Sequence, residues 1–127
     1  MAAKLLIVED QTDIRNLIRA TLEFEDFEIH EAEDGRSGLD KFVAVRPAVV
    51  LLDVMMPGEL DGLQVCQRIK QSPQGRNTIV ILLTARGQKA DIEIGLKAGA
   101  DAYLVKLFSP LELIETVEAK LPGAQAA

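Results

Sequence analysis

The run Ala48-Val49-Val50-Leu51-Leu52, closed by Asp53 and followed by Val54-Met55-Met56-Pro57-Gly58, constrains the chain more than any other segment. Five apolar residues in a row, rich in Val and Leu, predict a strand buried on both faces. A strand of that kind belongs inside a parallel sheet with helices on each side. The Pro-Gly pair beyond it predicts a turn. Asp53 therefore sits at the carboxyl end of a central strand, where open α/β sheets place their sites. An ionised carboxylate at the edge of an apolar core is costly unless something pairs with it. Asp53 is a functional candidate on those grounds alone.

The rest of the chain repeats the same alternation. Leu5 to Val8 predicts a first strand. Ile14, Leu17, Ile18, Thr21 and Leu22 follow helical spacing and predict an amphipathic helix. Phe27 to Ala32 alternates, as a strand near a sheet edge does. Gly35 to Val45 predicts a second helix, stopped by Arg46-Pro47. After the Asp53 strand, Asp61 can cap a helix over Leu63, Val65, Cys66 and Ile69, and Ser72-Pro73-Gln74-Gly75 ends it. Thr78 to Leu83 predicts a fourth strand. Lys89 to Ala98 predicts a helix ending at Gly99. Ala102 to Val105 predicts a fifth strand. Ser109-Pro110 opens a last helix with the stripe Leu113, Ile114, Val117 and Leu121. The expectation is one α/β domain over residues 1–121, a single parallel sheet with helices on both faces, and a loose tail over 122–127.

Composition narrows the function. The 127 residues fit one hydrophobic core. The net charge of −6 comes without a basic stripe, so direct nucleic-acid binding is not expected. No apolar stretch reaches transmembrane length, and the first residues lack the pattern of a signal peptide. A lone cysteine, Cys66, permits no internal disulfide and suits a reducing cytoplasm. In its helical pattern Cys66 reads as a small buried hydrophobe. His30, within an alternating strand, reads as structural and not as a phosphodonor.

Four strand ends then meet at one edge of the sheet. Glu9 and Asp10 follow the first strand, Thr84 ends the fourth, and Lys106 ends the fifth. If the first and third strands are neighbours, Glu9, Asp10 and Asp53 share a crevice. Three carboxylates repel unless a cation is present, and a small set of hard oxygen ligands favours Mg²⁺. Taken alone, Glu9-Asp10 reads equally as a solvated turn. Thr84 and Lys106 taken alone read as an ordinary strand-end Thr and a solvated Lys. Together the four positions describe a site for a phosphoryl group, with Lys106 as point charge and Thr84 as hydrogen-bond donor.

The matching pieces in order are Ile7-Val8-Glu9-Asp10, Leu51-Leu52-Asp53-Val54-Met55-Met56-Pro57-Gly58, Asp61-Gly62, Leu83-Thr84-Ala85, Gly99-Ala100-Asp101-Ala102-Tyr103, and Lys106 followed by Phe108. In this order and spacing the chain resembles the receiver domain of response regulators in two-component signalling, a chemotaxis-receiver-like module. The resemblance implies a flavodoxin-like fold with strand order 2-1-3-4-5. It implies that Asp53 takes a phosphoryl group from a histidine kinase or a histidine phosphotransfer protein. It implies that Glu9, Asp10, Asp53 and the backbone carbonyl of Met55 hold Mg²⁺, that Lys106 and Thr84 contact phosphoryl oxygens, and that Thr84 and Tyr103 form the switch. Such a domain is a phosphoacceptor and not a turnover enzyme, and it acts on a separate protein target or a fused output domain.

Two positions depart from the family pattern. Gly58-Glu59-Leu60 carries one residue more than usual before Asp61, which enlarges the loop beside Asp53. Lys106 is followed by Leu107 where the family has a proline in a cis bond, so a trans bond is expected here. The family's output surface falls on Lys97, Asp101, Tyr103 and the last helix with Glu112, Glu115 and Glu118. That helix has Lys120 as its one cation, so a charged dimer network looks incomplete and a mainly monomeric domain is expected. Other readings are a scaffold that works without phosphorylation, a Mg²⁺-dependent phosphatase of the haloacid-dehalogenase type, and a flavin carrier. The phosphatase requires an acid two positions after the nucleophile, where Met55 stands. The flavin carrier requires a phosphate-binding first loop, where Glu9 and Asp10 would repel the ligand.

Overall fold

The computed structural model describes residues 3–23, 25–56, 58, 60–85, 89–106 and 108–120. The expected tail over 122–127, the end of the last helical stripe at Leu121, and the Lys106–Leu107 peptide bond lie outside the described residues. Five strands and five helices alternate: β1 (Ala3–Val8), α1 (Thr12–Leu22), β2 (Phe27–Ala32), α2 (Gly35–Val45), β3 (Val49–Asp53), α3 (Gly62–Gln71), β4 (Ile79–Thr84), α4 (Lys89–Lys97), β5 (Ala102–Val105) and α5 (Pro110–Lys120). The strands form one parallel sheet in the order β2-β1-β3-β4-β5, as expected.

Alternate residues of each inner strand enter two separate cores, because side chains on a strand point to opposite faces. Leu5, Ile7, Val49, Leu51, Ile81 and Leu83 pack with Ile18 and Leu22 of α1 and Leu113 and Val117 of α5. Leu6, Val8, Val50, Leu52, Val80 and Leu82 pack with Phe42 of α2 and Val65, Cys66 and Ile69 of α3. Every residue of β3 is buried, which is why its sequence is a continuous apolar run up to Asp53. Each fully buried Leu or Ile contributes about 1.5–3 kcal/mol relative to exposure. Leu17 does not join the α1 stripe as its spacing predicts; it is exposed, because α1 docks through Ile18 and Leu22, with Ile14 packed beside them. Among the described residues, no helix is long and apolar enough to cross a membrane.

Caps start and stop the helices where the sequence marks them. Asp61 accepts from the Gln64 N–H at 2.9 Å while Gln64 returns a bond to the Asp61 N–H at 3.0 Å. Ser109 and Glu112 form the same reciprocal pair, at 3.1 Å in each direction. Arg46, before Pro47, ends α2 in the left-handed region at φ 54°. Asp101 differs from its expected place on the output surface. Its Oδ2 accepts the Val80 N–H at 2.8 Å and pairs with Lys70 Nζ at 2.8 Å, while Lys70 also donates to the Thr78 carbonyl at 2.6 Å. Asp101 thus ties β5 to β4 and α3.

The described residues after β3 fit closely around the end of that strand. Gly58 has φ +104°, a conformation that favours glycine. Leu60, within the extra-long loop, is buried and joins the core. Gly62 begins α3 directly above the end of β3. A Cβ on Gly62 would fall on the Asp53 carbonyl oxygen. Only a residue without Cβ lets α3 start here while the Gly62 N–H reaches the Val54 carbonyl at 3.0 Å. Gly62→Ala is expected to lower unfolding free energy by about 1–3 kcal/mol, the usual cost of overpacking. Urea denaturation checks this, and an Ala variant as stable as wild type would show that the start of α3 can shift freely.

Candidate functional site

The ladder carries each strand-end residue to the same edge. The Glu9 N–H bonds to the Ala32 carbonyl at 3.1 Å, the Val54 N–H to the Leu83 carbonyl at 3.0 Å, and the Lys106 N–H to the Thr84 carbonyl at 2.7 Å. β1 lies beside β3, so the acids that follow β1 meet Asp53. Glu9, Asp10 and Asp53 each place one carboxylate oxygen within 4.8 Å of the others. Glu9 and Asp53 are buried, at 0% and 2% exposure, while Asp10 forms the half-buried rim. The sequence brought Glu9 and Asp10 forward as equals; the structure separates them by depth.

Lys106 reaches both buried acids. Its Nζ lies 2.8 Å from Glu9 Oε1 and 3.2 Å from Asp53 Oδ1. Asp53 Oδ1 also accepts the Met55 N–H at 3.2 Å, and Glu9 Oε2 accepts the Gln11 N–H at 3.1 Å. Lys106 is thus the partner of Glu9 Oε1 among the described residues. Thr84 Oγ1 is buried and has no hydrogen-bond partner among the described residues. A buried hydroxyl without a partner costs about 1–3 kcal/mol, and it is best explained by a ligand atom that completes it.

Charge follows depth as well. Burial pushes the Asp53 carboxyl up to about 8, with the neighbouring Glu9 adding to the rise and Lys106 opposing it. Burial also pushes Asp10 upward, but contacts with the Glu9 and Asp53 carboxyls, its own backbone and Lys106 outweigh it and hold Asp10 below the usual carboxylate range. The surroundings thus favour the neutral form of Asp53 and the ionised form of Asp10. Burial works against the Lys106 ammonium, yet Glu9 and Asp53 outweigh it and raise its pKa. A set of hard carboxylate oxygens at this spacing fits a small divalent cation.

Tyr103 stands on the opposite side of Thr84 from the acids. β5 pairs with β4 so that Leu82 faces Tyr103 and Thr84 faces Val105. Thr84 and Tyr103 therefore share a face of the sheet, and Tyr103 is 44% exposed there. Cys66 is fully buried, and burial pushes its thiol up to about 11, as suits a packing residue. His30 lies in mid β2, opposite Leu6, with Nε2 2.7 Å from Glu28. One residue beside the site escaped the sequence reading. Arg15 of α1 donates to the Glu9 carbonyl at 2.8 Å. Its only signal in the sequence is helical spacing from Arg19.

Comparison with known proteins agrees with this geometry. Residues 5–118 match the profile of the response regulator receiver domain. The chain is 42% identical over 121 residues to the transcriptional regulatory protein ResD of Bacillus subtilis, covering 95% of this chain and 49% of that protein. It is 40% identical over 126 residues to the transcriptional regulatory protein SrrA of Staphylococcus aureus, covering 99% of this chain and 51% of that protein. The chain thus spans about half the length of these relatives. Among solved structures, the chemotaxis protein CheY4 of Vibrio cholerae superposes with a TM-score of 0.88 at 31% identity, over 95% of this chain and all of that one. A putative response regulator from Chloroflexus aurantiacus gives a TM-score of 0.89 at 31% identity, over 94% of this chain and 98% of that one. With its fold, its clustered acids and its sequence in agreement, the chain belongs to the response regulator receiver domain family.

Proposed function

We propose that Asp53 is the phosphoacceptor of this receiver domain, and that its donor is a phosphohistidine on a histidine kinase or a histidine phosphotransfer protein. The observation that carries this reading is the set around Asp53: Lys106 Nζ at 3.2 Å, Glu9 and Asp10 within 4.8 Å, and a buried Thr84 hydroxyl without a partner among the described residues. An Asp53 oxygen attacks phosphorus, an O–P bond forms, the N–P bond of the donor breaks, and the imidazole leaves. Glu9, Asp10, Asp53 and the Met55 carbonyl would hold Mg²⁺, which when bound offsets negative charge on the transferring group. Lys106 and Thr84 position phosphoryl oxygens by charge and hydrogen bond. Met55 occupies the place where a turnover phosphatase would need an acid, which argues against that alternative.

Thr84 then turns toward the phosphoryl group, and Tyr103, on the same face of the sheet, moves inward in its wake. The surface around α4, β5 and α5 passes this change to a separate target or a fused output domain. Direct nucleic-acid contact by this acidic domain is not part of the reading, nor is membrane insertion, and the setting is the cytoplasm. Glu112, Glu115 and Thr116 on α5 are exposed or partly exposed, and Glu118 and Lys120 are exposed. This acidic face favours a monomer that binds a partner.

Three outcomes are expected. Acetyl phosphate with Mg²⁺ adds one phosphoryl group to the wild type and none to Asp53→Asn, read by intact-protein mass spectrometry; undiminished labelling of the variant would falsify the assignment. Sedimentation with Mg²⁺, with and without beryllofluoride, gives a monomer in both conditions, and a strong dimer on activation would overturn the monomer reading.

The third concerns pH. Asp53 has a folded-state pKa raised above its unfolded value, so its contribution to stability is fully present below about 3.9 and lost as pH rises through about 8. In chelator at about pH 8.5, Asp53→Asn should exceed wild type by about 1 kcal/mol or more, roughly 3–6 °C in Tm. The gap should close as pH falls toward about 4.5, and Mg²⁺ should narrow it by stabilising the wild type. A gap independent of pH would show that packing, not charge, separates the two proteins.

A further inference from the structure

Arg15 has no part in the phosphoryl site as described, yet it is the side chain most closely engaged with the backbone of the acidic loop. Its Nη1 donates to the Glu9 carbonyl at 2.8 Å and, at longer range, to the Asp10 carbonyl at 3.4 Å. Its Nε meets Glu31 Oε1 on β2 at 3.2 Å, and its Nη2 reaches Thr12 Oγ1 at 3.3 Å. The side chain is 16% exposed. Glu31 is itself held from a second side. Its Oε2 accepts from Arg19 Nε at 2.7 Å, and Arg19 Nη2 reaches the Ile29 carbonyl at 3.3 Å.

The position of this clamp matters because the sheet stops guiding the chain here. The Glu9 N–H still bonds to Ala32 on β2, but the next two peptide planes lie beyond the last rung of the ladder. Their carbonyls need partners, and their orientation sets the direction in which the Glu9 and Asp10 carboxylates leave the backbone. A guanidinium is a rigid planar fork that can hold two carbonyls and a carboxylate at once; an ammonium is a point donor that cannot span them. Arg15 is also directed at carbonyl oxygens and not at the three carboxylates, so its charge lies nearby without occupying a ligand position.

We propose that Arg15, anchored by Glu31, is the positioning residue of the cation site. It presets the loop over residues 9–11 so that Glu9 and Asp10 converge on Asp53 before the cation arrives. This rests on the reading of Glu9, Asp10 and Asp53 as a Mg²⁺ site. Groups that orient metal ligands act on affinity, and their loss usually costs about 10–100-fold.

The test uses Arg15→Lys and Arg15→Gln, with Glu31→Gln as the variant that leaves the loop contacts in place but removes their anchor. Calorimetric titration with Mg²⁺ should give about tenfold weaker binding for both Arg15 variants and a smaller loss for Glu31→Gln. Hydrogen exchange of the metal-free proteins should speed up over residues 9–12, and saturating Mg²⁺ should restore acetyl phosphate labelling. A purely structural role would lower Tm yet leave the Mg²⁺ affinity of the folded protein unchanged. Arg15→Lys and Arg15→Gln proteins that fold and bind Mg²⁺ within about twofold of wild type would overturn the proposal, as would weaker binding without faster loop exchange. Wild-type labelling by acetyl phosphate separates the two readings. Normal labelling with undisturbed affinity in the variants removes the clamp alone, whereas a wild type that does not bind Mg²⁺ removes the site and the clamp with it.

Discussion

One ammonium group facing two buried carboxylates governs the rest of the site. Glu9 and Asp53 are withdrawn almost wholly from water at the edge of an apolar core, and Lys106 reaches both. Without that cation, two buried negative charges would carry a penalty of several kcal/mol each. With it, the charge is still unbalanced, because Asp10 adds a third carboxylate at the rim. Burial, together with that excess, pushes the Asp53 carboxyl up toward its neutral form. Under the proposed function, a divalent cation held by these acids would offset the same excess and favour the ionised form of Asp53. The parallel sheet makes this possible, since β1, β3 and β5 all deliver their ends to one edge.

The contacts away from the edge serve the same purpose. Gly62 lets α3 begin directly over the Asp53 carbonyl, and Leu60 joins the core beside it. Lys70, Asp101 and the Val80 N–H fasten β5 to its neighbours, which fixes the level at which Lys106 emerges. These tethers are polar and specific where the core contacts are apolar and general. They set registration, and the apolar clusters supply stability.

Much of this was legible in the sequence, for reasons tied to period and punctuation. The apolar run ending in Asp53, the strand ends at Thr84 and Lys106, and the caps at Asp61 and Ser109 are local signals, and the structure has them in place. What escaped depends on how far one element lies from another. Nothing local says that Leu17 is left exposed while Ile18 is buried, because that depends on where α1 docks. Glu9 and Asp10 are neighbours of like charge, and only the tertiary fold makes one buried and the other a rim. Asp101 reads as a surface acid until Lys70, thirty-one positions earlier, is brought to 2.8 Å. Arg15 and Glu31 are separated by a helix and a turn, and either alone is an ordinary charged residue on a solvated face.

If Thr84 is the switch residue proposed above, its hydroxyl sets a scale for signalling strength. It has no hydrogen-bond partner among the described residues, and a hydroxyl buried in that way costs about 1–3 kcal/mol, which a new acceptor would remove. Under the proposed reading, the phosphoryl group supplies that acceptor. Relief of this size biases two conformers by roughly 5–150-fold, within the ordinary range of coupling between distant sites. A switch drawing on one such hydroxyl would have a leaky baseline: a small share of unphosphorylated molecules would visit the active form, and full commitment would require the energy of partner binding in addition.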